Sequence, residues 1–471
     1  MSDHLTAVDA TFLELEESDQ SAHMHIGGVM IFESQPGGGA PALSRLRRSL
    51  ETRLADLPRY HQCLSSPRTG GLSWPTWEDH EGFDISGHVR RARLPGRGTD
   101  ADLRRWAGEF FSERLDRTRP LWEMVVLDGL SGGRWALVSK THHCMVDGIG
   151  SVDVALVMLD AERSPAPRHH PTPGSRADEP AGSGSKLPGS LLALPLRLAG
   201  ASARMLRGGA AVATHPSRGR EALQRSRAMA EVLVKDELIS APPSSLNVPI
   251  GGKRRLGVTS ASLEEIKRVK ERFGGTVNDV VLAATAGGLR RLLLERDEDL
   301  PPQGLRAMVP VNIRTASERL ALGNRITSLF VHLPVDERDP VRRYERQMEE
   351  AESLKSGTQA LGSTTLLDLT GMAPPVVHSF LARSLFATRL FNVTITNVPG
   401  PQQPLYSFGS KMLAVWPIVP IAADHTLGLA VFSYDGTAFF TVNADHDAVR
   451  DLDVLIEGIR DSIAELSAVA G

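Results

Sequence analysis

"RWALVSKTHHCMVDGIG", residues 134–150, starts as a strand and ends as a turn. Its first half is an apolar run of the kind that fills a buried strand. The next residues, "SVDVALVMLDAE" (151–162), take up a helical period with one apolar face. The histidine pair therefore sits where a strand hands over to a helix. Successive strand side chains point to opposite faces, so His142 and His143 cannot both face one substrate. One of the two acts and the other is structural. Adjacent residues rarely converge on one ion, and no third ligand lies at a familiar spacing, which disfavours a metal site. Cys144 next to His143 is poorly placed as a nucleophile, because neighbouring side chains diverge. Asp147, followed by Gly148 and Gly150, lies in the turn, where it can cap the helix or pair with a buried arginine. The competing reading of the whole motif is a core histidine pair beside a capped helix.

Upstream, "RRWAGEFFSERLDRTRPLWEMVVLDGL" (104–130) begins as a helix, is stopped by Pro120 and continues as a strand. The turn "SGG" joins that strand to the next, which predicts a hairpin. "MHIGGVMIF" (24–32) reads as a further buried strand, followed by a helix over "SRLRRSLETRLADL" (44–57). Downstream, residues 163–185 are rich in Pro, Gly, Ser and charge, the composition of a linker or long crossover. From 186 to 220 the chain carries six Lys or Arg and no acid, interleaved with leucines, which suits either a helix on an anionic lipid surface or one packed on the protein. The rest mixes helices and strands. "SLEEIKRVKERFG" has a capping box in Ser262 and Glu265. "TVNDVVLAATAGGLRRLLLER" is a second helix, and strands follow at "LRAMVPVNIR", "ITSLFVHLP", "FNVTITNVP", "LGLAVFSYDG" and "AFFTVNAD" before a last helix over "LDVLIEGIRDSIAELS". The fold class is α/β with mixed sheets. The expected division is 1–162, a connecting segment 163–220, and 221–471.

A chain of 471 residues is long for one core, which fits this division. The formal net charge of -3 argues against a protein built to hold nucleic acid. Cys63 and Cys144 are the only cysteines, which fits free thiols in a reducing cytosol. The acidic N-terminus has neither the basic start nor the apolar core of a signal peptide. No uncharged apolar run approaches the roughly 20 residues a spanning helix needs, so membrane contact is expected to be peripheral.

His142, His143, Asp147 and Gly148 match the HHxxxDG motif of CoA-dependent acyltransferases. "RPLWEMVVLDGLSGGRWALVSKTHHCMVDG" resembles the bacterial wax ester synthase/diacylglycerol acyltransferase family in particular. Pro120, Leu121 and Trp122 match its PLW motif, and Asn278 and Asp279 its ND motif. "LTAVDATFLELEESDQSAHMHIGGVMIFE" resembles its N-terminal segment, while "VPVNIR" and "TNVPGP" are similar to parts of its second domain. The likeness spans nearly the whole chain and weakens between Arg163 and Arg220.

The resemblance implies two chloramphenicol-acetyltransferase-like domains with a substrate tunnel between them. It implies acyl-CoA as co-substrate, no permanently bound cofactor, and diacylglycerol as acceptor, with a long-chain alcohol as the alternative. Partners would be a membrane or lipid-droplet surface, the location cytoplasmic and peripheral to the inner membrane or lipid inclusions. The family's second histidine, here His143, would be the general base, with His142 beside it. Asn278 would position or donate to an oxyanion and Asp279 hold the helix start, with Asn397 a second candidate near the substrate. Arg314 would pair with Asp147. Pro120, Leu121 and Trp122 would pack near the tunnel. The reading from another class is an inactive lipid-surface or acyl-binding protein.

Overall fold

The structure, a computed structural model, describes residues 5, 7–55, 57–65, 75–145, 159–164, 240–312, 326–356 and 390–471. Met1–Pro165 and Ser240–Gly471 form one compact unit. The first half contributes α1 (Ala7–Ser18), β1 (His25–Phe32), α2 (Leu43–Leu54), β2 (Gln62–Leu64), β3 (Trp77–Asp79), β4 (Val89–Arg93), α3 (Asp100–Ser112), β5 (Trp122–Asp128) and β6 (Trp135–His142). The second contributes β7 (Arg254–Ser262), α4 (Leu263–Phe273), α5 (Val277–Glu295), β8 (Leu305–Asn312), β9 (Ile326–Leu333) and α6 (Pro340–Ser356). It continues with β10 (Val393–Pro399), β11 (Tyr406–Ser407), β12 (Ser410–Ile418), β13 (Leu427–Tyr434), β14 (Thr437–Asp445) and α7 (Leu452–Ala470).

The expected mixed α/β class is what forms. Among the described residues, two six-stranded sheets run β11-β12-β1-β6-β5-β4 and β7-β14-β13-β10-β8-β9, and β2 with β3 makes a small third. Each large sheet mixes parallel and antiparallel pairs: β4 lies parallel to β5, and β10 parallel to both β13 and β8. The predicted hairpin is β5–β6, paired antiparallel from Trp122↔Thr141 to Leu127↔Ala136. Strands β11 and β12, from the C-terminal half, complete the first sheet against β1.

Strand β6 is central, so its run "WALV" is buried on both faces, and Trp135 stacks on Phe32 of β1 at 4.3 Å between ring centres. Lys140 interrupts that apolar pattern yet is fully buried. Its Nζ donates to the carbonyls of Phe110 at 2.9 Å and Glu113 at 2.8 Å, in and just after the last turn of α3. Burial pushes this ammonium down to about 8.

The second sheet packs on α5, buried along most of its length, and on α7. The two helices meet at glycine: a Cβ on Gly288 would lie 2.6 Å from Ile459 Cγ1, so no larger residue permits this approach. The capping box forms one helix later than expected. Ser262 accepts from Glu264 and Glu265 N–H at the start of α4, while the reciprocal box belongs to Thr276 and Asp279 at the start of α5.

Candidate active site

Strand β6 ends at His142, and the chain closes into one 3-10 turn over His143–Met145. Three backbone donors hold that turn. His142 N–H donates to Leu121 O at 2.9 Å, His143 N–H to Met24 O at 2.8 Å, and Cys144 N–H to His142 Nδ1 at 3.2 Å. His142, the last residue of β6, is 1 % exposed, whereas His143, the first residue of the turn, is half-buried.

Both rings are met by α1, which the sequence reading passed over. Phe12 stacks on His143, ring centres 3.8 Å apart and planes 18° from parallel. One turn later, Glu16 lies 3.5 Å from His142 Nε2. Residues four apart share a helix face, so the signal that could have found this platform was Phe12 and Glu16 in "TFLELE". Glu16 also faces His25 Nε2 on β1 at 3.6 Å, Arg114 at 3.3 Å and Arg117 at 3.5 Å. Burial works to raise the Glu16 carboxyl, but the histidines and Arg114 outweigh it and hold it well below the usual carboxylate range.

Burial pushes the His143 imidazole down to about 4, with the neighbouring His142 adding to the effect. A ring held neutral at physiological pH is a base ready to accept a proton. Protonation removes that base, so kcat/KM is expected to stay level as pH falls from neutrality and to drop only as it approaches about 4. A pH–rate profile in which the acid limb centres on the ordinary histidine value of 6.5 would contradict this environment for His143. The Cys144 thiol, by contrast, is buried and pushed well above its ordinary value, mainly by that burial. It is a poor thiolate source. Cys144→Ala should retain most of the wild-type rate in a steady-state assay, and a dead variant would indicate a covalent route.

In the second half, Thr276 caps α5, and Asp279 Oδ2 accepts from Thr276 N and Oγ1, both at 2.7 Å. Asp279 is thereby occupied at the helix start. Asn278, next to it, accepts at Oδ1 from Asn397 Nδ2 of β10 at 3.4 Å. The two candidate asparagines thus meet, and the donor end of Asn278, its Nδ2, is the group suited to an oxyanion.

The catalytic domain of the wax ester synthase/diacylglycerol acyltransferase family matches residues 5–281, and the family's C-terminal domain matches residues 322–467. The chain belongs to this family. A Mycobacterium tuberculosis protein named "Probable diacyglycerol O-acyltransferase tgs1" is 32% identical over 480 residues, covering 99% of this chain and 96% of that one. The corresponding tgs2 protein is 31% identical over 475 residues, covering 98% of each. Among solved structures, the wax ester synthase/diacylglycerol acyltransferase from Marinobacter aquaeolei VT8 superposes with a TM-score of 0.67 at 27% identity, covering 99% of this chain and 100% of that one. The starter condensation domain of rhizomide synthetase shares the fold, with a TM-score of 0.59 at 15% identity over 100% of this chain and 94% of that one.

This member of the acyltransferase family carries its PLW residues at the start of β5. Leu121 and Trp122 are buried, and Trp122 Nε1 donates to Tyr60 O at 2.9 Å while its ring stacks on His88. Through Leu121 O the segment also holds the His142 backbone, which makes it a brace for the turn. Asp147, Gly148, Arg314 and the basic segment 186–220 lie outside the described residues. Among the described residues no group of three or more His, Cys, Asp or Glu side chains is arranged to hold a metal ion, and no helix is long and apolar enough to cross a membrane.

Proposed function

We propose that the chain transfers the acyl group of an acyl-CoA to the free hydroxyl of a diacylglycerol, yielding triacylglycerol and CoA, with His143 as general base. The observation that carries this reading is the half-buried imidazole of His143, stacked on Phe12 just after β6 in a member of this family. An alcohol is a weak nucleophile until a base takes its proton in the transition state. His143 accepts that proton as the hydroxyl oxygen attacks the thioester carbonyl. The carbonyl carbon gains a C–O bond and its oxygen becomes an oxyanion, for which Asn278 Nδ2 is the proposed donor, supported by Asn397. Collapse breaks the C–S bond, and the proton held by His143 passes to the CoA sulfur.

Asp147 with Arg314 is proposed to hold the turn after His143, with Gly148 allowing its backbone path. The names of the mycobacterial relatives favour diacylglycerol as acceptor. The name of the Marinobacter structure also includes wax ester synthesis, which favours long-chain alcohols as a second acceptor class. Because such acceptors dissolve in lipid, the enzyme is proposed to act peripherally at a membrane or lipid inclusion, with the six basic residues of 186–220 suited to anionic headgroups. The proposed division is 1–162 and 221–471, joined by 163–220, with β11 and β12 of the second part crossing over to complete the first sheet.

The test is acceptor competition. Purified protein is given radiolabelled palmitoyl-CoA with equimolar dioleoylglycerol and hexadecanol, and products are resolved by thin-layer chromatography. Label mainly in triacylglycerol is the expected outcome; label mainly in wax ester would move the acceptor to alcohols, and label in neither would overturn the reading.

A further inference from the structure

Glu16 is a buried carboxylate, 2 % exposed, that the acyl-transfer chemistry does not itself require. Its two oxygens face two different histidines. Oε1 lies 3.6 Å from His25 Nε2 and Oε2 lies 3.5 Å from His142 Nε2, and these histidines are directly opposite each other on β1 and β6. The other end of the His142 ring is already spoken for, since Nδ1 accepts the Cys144 N–H at 3.2 Å. A neutral imidazole has one donor and one acceptor nitrogen. With Nδ1 accepting, the proton sits on Nε2, whose nitrogen lies 3.5 Å from the carboxylate.

We propose that Glu16 is a positioning residue for acyl transfer: by favouring the Nε2–H form of His142, it keeps Nδ1 available to Cys144 N–H and so fixes the turn that presents His143. The inference rests on the general-base reading of His143. A proton moved to His142 Nδ1 would set two donors against each other at Cys144 and loosen the turn at its centre. The same helix face carries Phe12, which stacks on His143, so α1 holds one histidine by charge and the next by its ring. Among the described residues, Arg114 and Arg117 from the segment after α3 and His25 on β1 face Glu16, while His23 beside His25, Lys140 on β6 and Asp9 on α1 also act on the site. The ring nitrogen bonded to the turn is that of His142.

A base displaced by a fraction of an ångström loses rate in the chemical step, while binding of acyl-CoA elsewhere is untouched. Glu16→Gln keeps the shape and removes the charge. In the folded variant, kcat for palmitoyl transfer to dioleoylglycerol should fall about tenfold or more, with KM for palmitoyl-CoA within about twofold of wild type. A second measurement is independent of turnover. In protein carrying ring-15N-labelled histidine, the His142 signals, assigned by their loss in His142→Gln, should show Nδ1 unprotonated and Nε2 protonated in wild type, with the Nδ1–H form appearing in Glu16→Gln.

Unchanged kcat in folded Glu16→Gln, or wild-type His142 carrying its proton on Nδ1, would overturn the proposal. Should Glu16→Gln fail to fold, the wild-type spectrum still decides. Wild-type protein inactive toward both acceptors would instead remove the acyl-transfer reading, which the tautomer of His142 leaves untouched.

Discussion

Replacing His143 with alanine is expected to lower acyl transfer by roughly 10²–10⁴-fold while leaving the protein folded, the range that loss of a positioned general base produces. The ring is half-buried, and its stacking partner is one phenylalanine, so the cost in stability is modest. The turn's backbone bonds run from the main chain of His142, His143 and Cys144, and only one of them uses a ring nitrogen, that of His142. His142→Ala removes that acceptor and strands the Cys144 N–H, so it should cost both rate and stability. The contrast between adjacent histidines separates a base from a brace. Circular dichroism and thermal melts run beside the assays show whether His143→Ala has kept its fold.

The largest stability effect is expected at Gly27. A Cβ built there would lie 2.0 Å from Ser139 O and 2.9 Å from Ser139 C, backbone atoms of the neighbouring strand β6. Strand β1 is hemmed in on both sides, pairing with β6 through Gly27↔Lys140 and with β12 through Gly27↔Ile418. Neither neighbour can retreat without breaking its own ladder, and the clash falls two residues from His25. Gly27→Ala should therefore destabilise the protein by at least about 3 kcal/mol, the upper part of the range for overpacking a filled interior. Gly37→Ala serves as the control, because nothing lies within 4 Å of its added Cβ. Urea unfolding of the two variants should show a large drop in midpoint for the first and almost none for the second; equal midpoints would mean β1 is not clamped as described.

What was legible in the sequence was local. The hairpin β5–β6 and the buried strand β1 follow from side-chain patterning and turn composition within a few dozen residues. Strand β12 escaped the reading because "SKMLAVWPI" carries a lysine and an internal proline, and its stability comes from β1, nearly four hundred residues earlier. Helix α6 escaped because the many charges of "PVRRYERQMEEAESLKS" obscure the stripe of Tyr344, Met348 and Leu354 that packs on the core. The site was legible as a motif but not as an environment. The spacing in "TFLELEES" puts Phe12 and Glu16 on one helix face, but their partners His25, His142, Arg114 and Arg117 come from separate elements that only the folded sheet brings together. Likewise the ND motif points to Asn278 and Asp279 as a pair, and the fold separates them: Asp279 is taken by the Thr276 cap, while Asn278 turns to Asn397.

The most direct test of the account is to measure CoA thiol release and triacylglycerol formation together, in wild type and His143→Ala, with palmitoyl-CoA and dioleoylglycerol supplied. General-base transfer at His143 predicts one thiol released per triacylglycerol formed in wild type, and the loss of both in the variant. Triacylglycerol still formed at the wild-type rate by folded His143→Ala would contradict it.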